Sequence, residues 1–283
     1  MSGARPAFPL RRSAAVFAEY ARVAFLKTLS YRLRYVTGIL SYLVYVSANA
    51  FIWRAVFADA AAERAATEAL GGFDAAAMTT YVAVGWIARS FYFNNVDREI
   101  AEDVSQGRIA MALLRPFSYQ AGHVAQALGE SLFRGVFFSA PIAVLVTFLF
   151  PVAPPASVPA LGLFALSAFL GFLVLAALNF LVGVFAVHMQ SILGVIRAKQ
   201  FVLDVFSGLL IPIPLFPDAL RALAEALPFR QISYVPVTVY LGKLSGAETA
   251  SALAAQAAWA TLLFAAGALA FRLSAAKIAV QGG

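Results

Sequence analysis

Six stretches of the chain are rich in apolar residues, and polar or proline-rich connections separate them. They cover residues 35–53, 78–96, 135–150, 160–187, 200–211 and 250–271. A helix needs about 20 predominantly apolar residues to cross a bilayer, and most of these stretches approach or exceed that length. The pattern therefore predicts an all-α membrane protein with six transmembrane helices in a single transmembrane domain, residues 1–283.

The third and fifth stretches are short and require helices that begin before their apolar cores. The helical sequence that leads into the third stretch begins near Tyr119. Within it, Glu130 and Arg134 lie four residues apart on one helix face, where they can form an ion pair. The fifth stretch ends in prolines, and about 12 helical residues span only about 18 Å. Its helix must therefore begin earlier, around Ile192.

An amphipathic helix is predicted over residues 13–31, before the first span. Aromatic and small residues recur there every three to four positions, while Glu19 and Arg22 lie across the helix. Such a helix suits the headgroup layer of a membrane. The alternative is that this segment is the polar beginning of the first span.

The most charged part of the chain is residues 96–120, which we call the charged loop. Its acidic first helix ends at Gly107, and a short apolar helix follows until Pro116 stops it. Two short helices joined by a glycine form a knob that a partner protein can hold. The acids could instead bind a metal, but neighbouring basic residues favour a solvated helix face. The residues assigned to this site are Asp97, Glu99, Glu102, Asp103, Gly107, Arg108, Arg115 and Pro116.

Prolines mark the connection between the fifth and sixth apolar stretches. Residues 217–237, the proline-bounded segment, carry a stripe of leucine and alanine beside Arg221 and Glu225. The pattern favours a re-entrant helix or broken hairpin, which must be shielded by protein at membrane depth. An ordinary outer loop is the alternative. The prolines concerned are Pro212, Pro214, Pro217, Pro228 and Pro236.

Composition and charge support the membrane assignment and set an orientation. Apolar residues make up 62% of the chain and charged residues 12%, against roughly 45–50% and about 25% in soluble domains. Most basic residues lie in the N-terminal segment, the charged loop, the 188–199 connection and the C-terminal tail, whereas the 54–77 loop is acidic. By the positive-inside rule, both termini are cytoplasmic. This distribution explains the net charge of +7 without nucleic acid.

Charged side chains inside the predicted spans are candidates for function, because such positions are costly. Arg89 and Asp204 lie at similar depths from the same side, so they can form a buried pair. The alternative is that each side chain reaches the interface separately. Glu130 and Arg134 complete the set of intramembrane charges.

No catalytic or nucleotide-binding constellation is evident in the sequence. His123 and His188 stand alone, and there is no cysteine to ligate a metal. The pair Gly242 and Lys243 lacks the remaining residues of a phosphate-binding loop. The chain is therefore not expected to be an enzyme or to carry a cofactor or metal, and any ATP hydrolysis must occur in a partner subunit.

Four runs of sequence resemble the ABC-2 type transporter permeases, in the six-span branch whose ATPase is a separate chain. They are GRIAMALLRPFSYQ at 107–120, SGLLIPIPLFPDALRALAEALPF at 207–229, YVPVTVYLG at 234–242 and the terminal AVQGG. The resemblance implies one half of a type V exporter. An N-terminal interface helix, a coupling helix and re-entrant helices would fall on residues 13–31, 96–115 and 217–237.

The resemblance also implies partners and a location. Two ATPase subunits, which bind ATP and magnesium, would join this permease and a second one, identical or related, in a bacterial cytoplasmic (inner) membrane. ATP-driven closure would push on the charged loop and open a pathway for export. The alternative is a secondary transporter or channel driven by an ion gradient. Nothing in the sequence selects a substrate.

Overall fold

The computed structural model describes residues 10–30, 33–58, 67, 72–189 and 191–281. Those residues form helices and connections, with no β-strand among them. The α-helices are α1 (Leu10–Ser30), α2 (Leu33–Val56), α3 (Ala75–Tyr92), α4 (Val96–Ser105), α5 (Arg108–Leu113), α6 (Tyr119–Arg134), α7 (Ala140–Leu149), α8 (Val158–Val184), α9 (Leu193–Phe206), α10 (Asp218–Ala226), α11 (Tyr234–Tyr240) and α12 (Gly246–Gln281). Half of the 54–77 loop predicted to lie outside, residues 59–66 and 68–71, falls beyond the described residues.

Four segments in the described part are long and apolar enough to cross a bilayer: Thr37–Val56, Tyr119–Leu149, Val158–His188 and Gly246–Ala275. They correspond to the first, third, fourth and sixth predicted spans. The second predicted span, residues 78–96, ends as a helix at Tyr92 rather than Val96, because residues 93–95 are not helical. The fifth begins at Leu193, close to the expected Ile192, and ends at Phe206.

Helix α1 packs along α6. The two backbones approach so closely at Gly129 that a Cβ atom there would lie 2.0 Å from the carbonyl oxygen of Ala21. Ala24 and Thr28, on the predicted apolar stripe of α1, are buried, whereas Glu19 and Arg22 pair with each other in solvent. The apolar stripe of α1, which the sequence predicted to lie in the headgroup layer, therefore contacts protein in its central part. Tyr31, the last residue of the predicted helix, lies outside the described residues.

The third apolar stretch is one long rod made of α6, a π-helical turn at Gly135–Ser139, and α7. The π turn precedes Pro141, which lacks an N–H group and would clash with a carbonyl four residues earlier in a regular helix. Widening the turn removes that clash, since the amide of Ala140 then bonds the carbonyl of Gly135. The rod thus keeps its direction across a proline.

Helix α8 lies at the centre of the bundle, in contact with α12, α4 and α11. Glycines let neighbours approach it closely. A Cβ at Gly183 would lie 2.9 Å from the Ile100 side chain of α4, and one at Gly171 would lie 3.0 Å from the backbone oxygen of Ile232. The charged loop and the proline-bounded segment therefore contact the same central helix.

Candidate functional site

The charged loop has the predicted shape of two short helices joined by a glycine. Gly107 adopts a left-handed conformation with φ of +70°, which glycine reaches without strain. Arg108, the first residue of α5, reaches back to α4 and donates a hydrogen bond of 2.9 Å to Asp103. Glu102 is exposed and lies 3.7 Å from the same guanidinium group. These contacts hold the two helices of the loop against each other.

Asp103 connects the charged loop to the start of α6. Its carboxylate accepts hydrogen bonds from Arg108 and from the Tyr119 hydroxyl at 2.8 Å, and His123 lies 3.7 Å away. Burial disfavours the charged form, but the hydrogen bonds from those three groups outweigh it and lower the pKa of Asp103 to about 2. The carboxylate is therefore ionised at neutral pH. His123 also approaches Glu99, at 3.4 Å.

The burial of Asp97 contradicts the prediction that the acidic residues form a solvated helix face. Its side chain is 2% exposed and accepts a 2.6 Å hydrogen bond from Lys199 of α9. Lys199 also donates to the Asn179 side chain of α8, whose amide donates to Asn94 at 2.9 Å. A buried polar chain therefore joins the first turn of α4 to α8 and α9.

The 188–199 connection ends where α9 begins, at Leu193, so Lys199 lies on a helix, in agreement with the helix start predicted near Ile192. Lys199 thus projects from a helix into the bundle. Among the other acids, Glu99 and Asp103 are half-buried and Glu102 is exposed, so only part of the cluster meets solvent. In the described part of the chain, no group of three metal-ligating side chains is arranged to hold an ion.

Arg89 and Asp204 form the pair that the sequence allowed, and their side chains are half-buried, at 15% and 28% exposed. Their closest atoms are 2.8 Å apart, and the Arg89 guanidinium also lies over the rings of Trp86 and Phe93. The alternative, in which each charge reaches the interface separately, does not describe this structure. The pair joins the last turn of α3 to α9.

Arg134 lies on α6 with its side chain buried and its donors occupied. It donates to the backbone carbonyls of Ser90 and Phe93, to Ser131, and at 3.5 Å to Glu130. The predicted pair with Glu130 is present, although its long distance makes it the weakest of these contacts. Arg134 mainly fixes the non-helical connection between α3 and α4 against α6.

The charged loop also contacts α1. Arg115 donates a 2.9 Å hydrogen bond to the Tyr20 hydroxyl, whose ring stacks on Phe117 at 5.6 Å between centroids. Pro116 lies exposed beside this contact, in the connection to α6. Movement of the loop would therefore reach the N-terminal helix as well as α8 and α9.

The proline-bounded segment folds into α10, a 3₁₀ turn at Pro228–Gln231, and α11. Helix α11 packs on α8 and α3, and its Val235 and Val237 are at most 1% exposed. Pro228 and Pro236 are buried, Pro212 and Pro217 directly precede helical turns, and Pro214 lies within one.

The buried Gln256 side chain of α12 forms a hydrogen bond with the non-helical backbone of this segment. Gln256 donates to the carbonyl of Gln231 at 2.6 Å and accepts from the Ser167 hydroxyl at 2.9 Å. Nearby, the Tyr81 hydroxyl of α3 donates to the carbonyl of Gly208, which has a φ of +78°. The carbonyl groups of Gln231 and Gly208 therefore have protein partners.

Several of these residues have no distinguishing signal in the sequence. Lys199, Asn179, Asn94 and Gln256 are isolated polar residues in or beside apolar helices, and their partners lie far away along the chain. Polar residues in apolar helices do indicate that partners exist, because unpaired polar groups are costly there. The identity of the partners depends on how the helices pack.

Taken together, apolar helices long enough to cross a bilayer, with charged side chains paired between them, define a helical membrane protein. Residues 43–282 match the family model described as ABC-2 family transporter protein. The chain therefore belongs to the ABC-2 transporter family, as its sequence runs suggested. Curated proteins and solved structures gave no match to the chain.

Proposed function

We propose that this protein is the six-span permease subunit of an exporter in the bacterial cytoplasmic membrane, with both termini in the cytoplasm. In this proposal α3 and α9 are the second and fifth spans, in addition to the four segments that are long and apolar enough to cross a bilayer. Helix α3 has 18 residues and covers about 27 Å. Helix α9 has 14 residues and covers about 21 Å, so the connection through Gly208 and the protein-shielded segment after it would complete the crossing.

ATP would be hydrolysed on two partner subunits that bind ATP and magnesium, and the charged loop would dock on one of them. The observation that carries this proposal is the buried Lys199–Asp97 pair, at 2.6 Å. Because it joins α4 directly to α9, a push on the loop would move a membrane helix without an intervening flexible segment. Family membership supports the transport role.

A second permease, identical or related, would complete the pathway beside α3 and α9. The Arg89–Asp204 pair joins these two helices, so they would move as a unit when α4 moves. The proline-bounded segment would act as a re-entrant plug on the outer side, and α1 would lie at the cytoplasmic interface.

Co-purification tests the proposal. The tagged chain, extracted from its native membrane in mild detergent, should bring an ATPase with it, and reconstituted complexes should transport only with ATP. Glu102→Lys, at an exposed position of the charged loop, should release the ATPase while the permease remains folded. Glu225→Lys on α10, also exposed, is the matched control and should keep it. Activity that follows an ion gradient and ignores ATP would instead support a secondary transporter.

A further inference from the structure

A cleft of about 460 Å³ opens beside α1, α2 and α6. Lys27, in the last turn of α1, and Gly38 and Tyr42, near the start of α2, form one side. Glu99 of α4 and Glu130 of α6 form the other. The volume lies within the roughly 300–1,000 Å³ range of small-molecule sites.

The cleft contains charged groups of both signs whose hydrogen-bonding capacity is only partly used. Lys27 is exposed and makes no hydrogen bond or ion pair with the part of the chain that the structure describes. From the described side chains, Glu130 receives one contact, at 3.5 Å from Arg134, and Glu99 receives one, at 3.4 Å from His123. Lys27 and Glu99 both act electrostatically on Glu130. Among the described lining residues, one ammonium and two carboxylates thus have hydrogen-bonding capacity left for a ligand.

Arg134 is not one of these available groups. Its side chain is 8% exposed, and its donors already serve backbone carbonyls, Ser131 and Glu130. Among the described residues that line the cleft, the positive charges of Lys27 and Arg134 balance the negative charges of Glu99 and Glu130. A ligand with one anionic and one cationic group complements such a surface better than a simple anion does.

The position of the cleft indicates that the ligand is a lipid. Gly38 and Tyr42 lie near the beginning of the candidate span Thr37–Val56, where the polar helix α1 gives way to apolar α2. Phe138 also lines the cleft, and Tyr45, three residues beyond Tyr42 on the same face of α2, is 53% exposed. Polar walls therefore adjoin an apolar surface that could contact acyl chains.

We propose that this cleft binds the head group of a membrane phospholipid with a primary ammonium, placing the ammonium at Glu99 and Glu130 and the phosphate at Lys27. A primary ammonium can donate three hydrogen bonds, two of them to these carboxylates, whereas a quaternary ammonium can donate none. The site does not depend on ATP coupling, so it can be tested separately from the transport function.

Binding is measured by native mass spectrometry of the full-length protein in detergent with phosphatidylethanolamine, phosphatidylcholine or phosphatidylglycerol. Wild type should retain phosphatidylethanolamine preferentially. Glu130→Gln should weaken that binding roughly tenfold, as expected for loss of one charge-assisted hydrogen bond. Lys27→Gln should weaken phosphatidylethanolamine and phosphatidylglycerol alike. Glu225→Gln, far along the chain on exposed α10, is the control and should change neither.

Three results would overturn the proposal. Equal retention of phosphatidylcholine would show that N–H donors are not recognised. Phosphatidylglycerol binding that exceeds phosphatidylethanolamine binding and ignores Glu130→Gln would reduce the site to phosphate recognition at Lys27. Displacement by free phosphoethanolamine at the same concentration as the lipid would indicate a soluble ligand. Thermal unfolding of each variant separates loss of binding from loss of fold, and Glu99→Gln provides a second acidic position if Glu130→Gln unfolds.

Discussion

At the scale of single residues, buried polar groups in this protein have specific partners on distant helices. Gln256 is 0% exposed and connects α12 to Ser167 of α8 and to the backbone of Gln231. Lys199 connects α9 to α4 and α8 in the same way. Leaving such a group unpaired costs more than the bond itself contributes, so these residues are sensitive positions.

Asp97→Asn should destabilise the protein strongly. Lys199, 9% exposed at its side chain, would lose its carboxylate partner, and breaking a buried pair costs about 3–5 kcal/mol. Thermal unfolding of the detergent-solubilised protein measures the loss. The double variant Asp97→Asn/Lys199→Met should recover much of it, since removing both charges can be nearly neutral. Glu102→Gln, which changes an exposed acidic residue, is the control. If Asp97→Asn and Glu102→Gln unfold at the same temperature, the Asp97–Lys199 pair does not stabilise the protein.

Arg89 and Asp204 allow a charge-reversal test. Arg89→Asp and Asp204→Arg should each reduce the yield of folded protein, because two like charges would then face each other at a half-buried site. The double reversal should restore folding. The exposed pair of Glu19 and Arg22 is the matched control, where single reversals should have little effect. If the double reversal fails to rescue folding, the two residues do not act as a pair.

At the scale of helices, close packing depends on a few small residues. The sequence predicted most helices because apolar length and glycine or proline breaks are local signals. It did not predict the π turn before Pro141 or the docking of α1 on α6, since both depend on how neighbouring backbones fit. The break at residues 93–95 was missed because its sequence has no proline or glycine.

Gly129→Ala should separate α1 from α6. The new methyl group would lie 2.0 Å from the Ala21 carbonyl oxygen, so the helices must move apart, at a cost of about 1–3 kcal/mol. Faster trypsin cleavage after Arg22 and a lower thermal stability are the expected readouts. Gly162→Ala on α8 is the control, because nothing lies within 4 Å of its added Cβ atom. It should leave stability unchanged or raise it, and equal behaviour of both variants would refute close α1–α6 packing.

At the scale of the whole molecule, orientation in the membrane is the property on which the proposed function depends. The sequence contains no cysteine, so single-cysteine variants can be labelled without background. Glu102→Cys should react with an impermeant maleimide only from the cytoplasmic side. Pro154→Cys, exposed in the connection between α7 and α8, should react only from outside. Labelling of Glu102→Cys from outside would reverse the topology and remove the proposed docking of an ATPase.

The sequence by itself determined the helical membrane class, most span positions, the two-helix shape of the charged loop and the family. These properties follow from apolar length, glycine and proline positions and short sequence runs, all of which are local. Tertiary structure alone decided that Asp97 is buried against Lys199, that Arg89 meets Asp204, and that Lys27, Glu99 and Glu130 share one cleft. Those contacts join residues far apart along the chain, so only helix packing could select the partners.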